Sequence, residues 1–291
     1  MIAPSTVSVI LPTVATPDRA ACLRRALDSV RAQEGVRVDP IVVANGPDCD
    51  PDLLGALARR RDIRLLHRDE PGLASAISAG RDLVDAPYFA ELDDDDWLLP
   101  GALATRAARM DADPAVDVVV SKGFLRGRSG DVLNIPDIAR CAADPLGTLM
   151  ERIWLAPCAG LFRTATIPAA FFRAMPAYLE WTYLAVLLAL GRRIAFLDTP
   201  TFVYSEDTPR SLSKSREYIL HQPGAIKSVL QLPVPPPVRR RLHCKYVAAL
   251  HSASMTELRQ GQKRAAWRWH LRTLMHPYGW RYLTYTRHLF T

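Results

Sequence analysis

Five short runs of apolar and β-branched residues occupy the first 121 positions, each closed by a turn signal and separated from the next by a helical pattern. They are Val7-Ser8-Val9-Ile10-Leu11, Pro40-Ile41-Val42-Val43-Ala44, Ile63-Arg64-Leu65-Leu66-His67, Tyr88-Phe89-Ala90-Glu91-Leu92 and Val116-Asp117-Val118-Val119-Val120-Ser121. Between the first two, Thr16-Pro17 reads as an N-cap and first helical residue, and Leu23, Leu27 and Val30 follow at helical spacing. Asp50-Pro51 opens a second helix, and Pro100 opens another that runs through Met110. Gly72 leads a small-residue helix, Leu73 to Gly80, able to pack very close to a strand. Alternation of this kind predicts an α/β fold with a mixed, mostly parallel sheet flanked by helices. Ligands of such sheets bind at the carboxyl ends of the strands, where Thr13, Asn45, His67 and Asp93 all fall.

The fourth run leads directly into Asp93-Asp94-Asp95-Asp96, and then into Trp97-Leu98-Leu99-Pro100. Four adjacent carboxylates repel one another, so an ordered cluster needs a cation, a set of donors or open water. If the chain stays extended, Asp93 and Asp95 face one way and Asp94 and Asp96 the other. Two carboxylates on one side of a strand end suit a hard divalent metal. A solvated acidic turn capping the helix after Pro100 is the alternative.

Hydrophobic residues make up 49% of the 291 and charged residues 23%, the balance of an ordinary globular protein. The net charge of +7 is unevenly spread. Residues 239–291 hold eleven Lys and Arg against one acid, Glu257, a net of +10, and the remainder is close to neutral at −3. The five cysteines are scattered, with no ligand spacing, so reduced thiols are expected rather than a zinc site or a disulfide framework. No signal-peptide pattern is seen at Met1–Thr6, and the apolar run Tyr183–Leu190 is far shorter than the roughly 20 residues of a spanning helix.

Past residue 121 the pattern loosens. Leu179-Glu180-Trp181 leads into an apolar helix, and Ile194–Leu197 and Phe202–Tyr204 read as two short strands. Ser205 to Ser211 is a polar loop. The Pro-rich piece 232–238 reads as a stiff, extended break between a body, 1–231, and a basic, aromatic helical segment, 239–291.

Taken together these pieces resemble family 2 glycosyltransferases of the GT-A fold. The resemblance rests on strand one ending in Pro12-Thr13, Asn45-Gly46 after strand two, the Gly72-led helix, and Leu92-Asp93-Asp94-Asp95-Asp96 before Pro100. Further on, Leu179-Glu180-Trp181 and Tyr204 through Ser213 match the family's later motifs loosely, so the likeness covers residues 5–220. Two positions depart from it. Ala44-Asn45 stands where the family carries an Asp that contacts the base, and the motif acid is Glu180, preceded by Leu179.

The resemblance implies a Rossmann-like GT-A domain that moves a sugar from a nucleoside-diphosphate donor to an acceptor hydroxyl, with inversion. It implies that Asp93 and Asp95 form a DxD motif holding Mg²⁺ or Mn²⁺, with Asp207 as a further oxygen ligand. Thr13, Asn45, Asp93, Arg210 and Ser211 would contact the donor, Asp96 and Trp97 would lie on the acceptor side, and Glu180 would be the base. The alternatives are loop capping for Thr13 and Asn45, helix anchoring for Trp97, and a dipole-favoured helix-start carboxylate for Glu180. A non-catalytic sugar-nucleotide binder or assembly protein on the same fold is the competing function.

For the tail, interleaved Trp267, Trp269, Trp280, Tyr282 and Tyr285 among the cations point to an anionic membrane face where a lipid-linked or glycan acceptor would sit; the alternative is a helical cap packed on the body with a basic outside. The expected location is cytoplasmic, either free or peripheral on the inner face of the membrane. No nucleic-acid reader module is present, so nucleic acid is not an expected partner.

Overall fold

The fold starts with β1 (Thr6–Thr13), whose residues from Val7 onward are buried. A 3₁₀ turn, Pro17–Arg19, and α1 (Ala20–Arg31) carry the chain to β2 (Arg37–Asn45). Asp50 caps α2 (Pro51–Ala58) by accepting the Leu53 N–H at 2.7 Å, and β3 (Arg64–Arg68), α3 (Leu73–Asp82) and β4 (Tyr88–Glu91) complete the first half. Then come β5 (Trp97–Leu98), α4 (Ala102–Ala112), β6 (Val118–Gly127), β7 (Gly130–Leu133), α5 (Ile138–Ala143) and α6 (Pro145–Leu149). They are followed by β8 (Gly160–Arg163), α7 (Ala169–Arg173), α8 (Glu180–Gly191) and β9 (Ile194–Ser205). The structure, a computed structural model, describes residues 4–128, 130–206 and 215–290.

Eight strands lie in the order β3-β2-β1-β4-β8-β6-β9-β5, with β7 paired to β6. β3, β2, β1 and β4 are mutually parallel, as the strand–helix alternation predicts, and β6 and β9 are parallel as well. β8 enters antiparallel between β4 and β6, and β5 pairs antiparallel with β9. The sheet is therefore mixed, with its longest ladders parallel. The two short strands expected at Ile194–Leu197 and Phe202–Tyr204 are one strand, β9. Its ladder with β6 slips at Ser121/Lys122 and again at Lys122/Phe124, which lets it pass through Thr199-Pro200 without ending.

The small residues of α3 serve close packing. A methyl group at Gly80 would lie 2.4 Å from the Ile10 Cγ2 and 3.1 Å from the Val43 Cγ2, and Ile10 and Val43 are fully buried in β1 and β2. Gly80→Ala is therefore expected to destabilise by about 1–3 kcal/mol from overpacking, despite alanine's better helix propensity. A lowered Tm in a thermal melt checks this; an unchanged or raised Tm would show that the sheet yields at that point.

The C-terminal part is helical: α9 (Arg216–Leu230), α10 (Pro236–Arg259), α11 (Lys263–Leu274) and a 3₁₀ stretch, Trp280–Leu289. The Pro-rich piece is not extended throughout, because Pro236 and Pro237 form the first turn of α10, where a missing N–H costs nothing. Val234, Val238 and Leu242 are buried in the same apolar core as the sheet, so this end of α10 is packed against the body. Glu257, the tail's one acid, is buried on α10 and pairs with Arg216 of α9 at 2.7 Å. Among the described residues no helix is long and apolar enough to cross a membrane.

Candidate active site at the aspartate turn

β4 is central and fully buried, and its pairing with β1 persists one residue further through the Leu92 N–H to the Ile10 carbonyl, 2.9 Å. The chain then turns. The Asp96 N–H donates to the Asp93 carbonyl at 3.1 Å, so the four aspartates form a tight turn between β4 and β5 and not an extended run. This corrects the alternation expected from an extended chain. Asp93, Asp95 and Asp96 each offer a carboxylate oxygen, and these oxygens lie within 4.8 Å of one another, while Asp94 faces elsewhere.

Asp94 is buried and holds the turn to β1. Its Oδ2 accepts the Thr13 hydroxyl at 2.6 Å, and Arg19 reaches both of its oxygens. Thr13 Oγ1 accepts in turn from the Ala15 N–H at 3.0 Å, at a residue whose φ of 47° puts a non-glycine backbone in the left-handed region. Arg19 also touches Asp95 Oδ2 at 3.3 Å, and Arg25 donates to the Asp95 carbonyl at 2.6 Å. Two arginines, one from the 3₁₀ turn before α1 and one from within α1, thus brace the turn.

Asp96 has no exposed surface. Its Oδ1 accepts the Ser205 N–H at the end of β9 at 2.8 Å, and its Oδ2 accepts the Cys158 thiol at 3.5 Å. Burial, with Asp93 and Asp95 beside it, pushes its pKa well above the carboxylate range. Burial followed by Asp95 and Asp94 pushes Asp93 up to about 7. A cluster in this state takes up protons, or exchanges them for a cation.

Glu91, on β4 itself, escaped the sequence reading. Its carboxylate is buried with neither oxygen bonded to a donor group, and burial and then Asp93 raise its pKa well above the usual value. A proton held on Glu91 gives it an O–H to direct at Asp93, which accounts for the missing partner. An acid inside the apolar strand Tyr88–Leu92 was the available signal.

Asn45 is buried, and its amide is engaged on both sides. The Nδ2 donates to the Thr13 carbonyl at 3.0 Å, and the Oδ1 accepts the Gly72 N–H at 3.2 Å. Gly72 has a φ of 137°, a conformation that needs glycine, so Asn45 fixes the entry to α3 relative to the end of β1. Trp97 pairs with Val203 across β5 and β9, and the Arg25 and Arg126 guanidiniums lie 4.0 and 4.8 Å from its ring centroid. His67 lies on β3 and is partly exposed near Asp69.

Glu180 is the first residue of α8 and is buried. Its Oε1 accepts the Tyr178 N–H at 3.0 Å, from a residue with φ 68°, and burial raises its pKa. The Tyr178 ring stacks on His221 at 4.8 Å and meets the Tyr218 ring edge-on at 6.0 Å, so α9 packs over this corner. Among the described residues no hydrogen bond or ion pair joins Glu180 to the aspartates. Asp207, Arg210, Ser211 and Ser213 lie outside the described residues. Of the residues singled out from sequence, Asp93, Asp95 and Asp96 converge, Thr13 is bonded to Asp94 beside them and Asn45 to Thr13, and Glu180 starts α8, held by the Tyr178 N–H.

Residues 8–132 match the family described as Glycosyl transferase family 2. No curated protein matches the sequence. Among solved structures, Staphylococcus aureus TarS 1-349 in complex with UDP-GlcNAc is similar with a TM-score of 0.58 and 15% identity, over 85% of this chain and 72% of that one. The mannosyltransferase PcManGT of Pyrobaculum calidifontis, in complex with GDP-Man and Mn²⁺, is similar with a TM-score of 0.55 and 16% identity, over 96% of this chain and 86% of that one. At these identities the likeness shows the fold alone. The aspartate turn lies inside the segment that matches the family 2 model, and the curled, mostly parallel sheet flanked by helices is the GT-A fold of these neighbours.

Proposed function

We propose that this protein is a metal-dependent inverting glycosyltransferase, taking a sugar from a nucleoside-diphosphate sugar and passing it to an acceptor hydroxyl. The observation that carries this reading is the convergence of Asp93, Asp95 and Asp96 at the carboxyl end of β4, inside the family 2 segment. The donor set fits Mg²⁺ or Mn²⁺: it is all oxygen, anionic, and built so that only a proton or a cation relieves its repulsion. Asp95 and Asp93 would hold the ion; Asp96, expected on the acceptor side, is fully buried and offers its oxygen to the same cluster instead. Once bound, the ion supplies positive charge to the leaving diphosphate.

The protein's own groups do the rest. Thr13 and Asn45 fix the floor beneath the donor nucleotide, and Arg19, shared between Asp94 and Asp95, supplies a cation next to the phosphates. Glu180, ionised, takes the acceptor proton. Trp97 lies at the acceptor side of the turn. The basic, aromatic C-terminal helices hold the enzyme peripherally on the inner, anionic membrane face, where glycan or lipid-linked acceptors of envelope or exported polysaccharide synthesis are presented. PcManGT, in complex with GDP-Man and Mn²⁺, supports the donor and metal class, and TarS with UDP-GlcNAc supports the donor class.

The test is a thermal-shift series of nucleoside diphosphates with and without Mn²⁺. One base is expected to raise the Tm by about 5–10 °C when Mn²⁺ is present, the stabilisation of roughly 2.7 kcal/mol expected at a hundredfold excess over Kd. No Mn²⁺-dependent shift with any nucleoside diphosphate would sink the proposal. A second reading, a non-catalytic sugar-nucleotide binder or assembly protein, draws support from the two departures from the family pattern, at Ala44-Asn45 and Leu179-Glu180. It predicts the shift without turnover.

A further inference from the structure

Two adjoining cavities, of about 530 and 460 Å³, lie between α9, α10 and α11, and share Lys227, Tyr246 and His276 along their common wall. Among the described residues no carboxylate lines either one. The cations are Lys227, which lies 5.5 Å from the Tyr246 ring centroid, Arg272, which lies 5.1 Å from that of Trp269, and Arg239 at the far end. His243 and His276 meet at 3.3 Å in the middle. The floor and lip are apolar, and Met275 at the lip is 83% exposed. Leu271, Trp280, Leu283 and Phe290 are exposed large apolar side chains in the same helical region.

We infer that this groove seats the phosphate headgroup of an anionic membrane lipid. Clustered cations without a counter-acid select a phosphate, the aromatic and apolar walls suit the glycerol and upper acyl carbons, and the exposed Met275 and Trp280 lie where the bilayer interface would begin. The inference rests on the membrane-facing reading of the tail and sharpens it from a diffuse basic face to one site. The site also adjoins the Glu180 corner, since His221 lines the groove and stacks on Tyr178, whose N–H holds Glu180.

The full chain would be sedimented with phosphatidylcholine vesicles with and without phosphatidylglycerol. The variants are a groove pair, Lys227→Gln with Arg272→Gln, and a pair of equal charge loss on exposed α11 positions outside the groove, Arg264→Gln with Arg268→Gln. The groove pair is expected to lose about thirtyfold in affinity for anionic vesicles, and the other pair about threefold or less. Equal losses, or none, would overturn the groove while leaving the membrane reading in place. No binding by the unchanged protein at low salt would overturn both. Melts with short-chain soluble phosphatidylglycerol add a readout that does not depend on vesicles. A rise in Tm for the unchanged protein that the groove pair lacks supports the site; the same rise from inorganic phosphate alone overturns the lipid assignment.

Discussion

Asp95→Ala is expected to lower sugar transfer by about 10³-fold and to abolish the Mn²⁺-dependent stabilisation by nucleoside diphosphate. The side chain is partly exposed at the mouth of the turn, whereas Asp94 and Asp96 are buried and bonded to neighbouring strands. Removing it should therefore spare the fold. Arg19 keeps its bonds to Asp94, so the link from the turn to β1 survives the substitution.

The same site gives the metal effect a pH signature. Asp93 has a folded-state pKa of about 7, above its unfolded value of about 3.9. Its protonation therefore adds stability that is fully present below about pH 4 and is lost as pH rises through 7. A cation takes over the proton's role, so the Tm gained on adding Mn²⁺ should grow from pH 5 to pH 8. Melts of the wild type and Asp95→Ala across that range check both claims. A Tm gain that is the same at the two pH values, or that persists in the variant, would place the ion elsewhere.

Much of this arrangement was legible in the residues. The parallel strands β1 to β4 announced themselves through apolar runs with turn signals, and the need of α3 for small side chains is met at Gly80 against Ile10. The aspartates were legible as a group but not one by one. An extended strand would have split them two and two, and a single turn hydrogen bond, Asp96 to Asp93, brings three together and sends Asp94 to Thr13. Local sequence does not encode that choice, because Ser205 and Cys158, which hold Asp96 in place, come from distant parts of the chain. Glu91 was missed for a related reason: an acid in a strand usually marks a solvent face, and here both faces of β4 are covered. The start of α10 was misread because a run of prolines suits an extended segment as well as a first helical turn, and packing of Val234 and Val238 on the core accompanies the second.

Glu180→Gln is expected to reduce kcat by about 10²–10⁴-fold with little change in donor affinity. The amide keeps an oxygen able to accept the Tyr178 N–H, so the strained corner at φ 68° should survive, and what is lost is the ability to take a proton. Burial raises the folded-state pKa of Glu180 above that of an ordinary glutamate. A general base works only when ionised, so the acid limb of the kcat profile should lie above the usual glutamate range, with activity rising as pH increases through it. In Glu180→Gln that limb should disappear from whatever activity remains. The same raised pKa means that ionised Glu180 costs the fold stability as pH rises, so the variant should melt no lower than the wild type near pH 8. Full activity in the variant, or a loss of donor binding equal to the loss of rate, would reassign Glu180 to a structural cap at the start of α8.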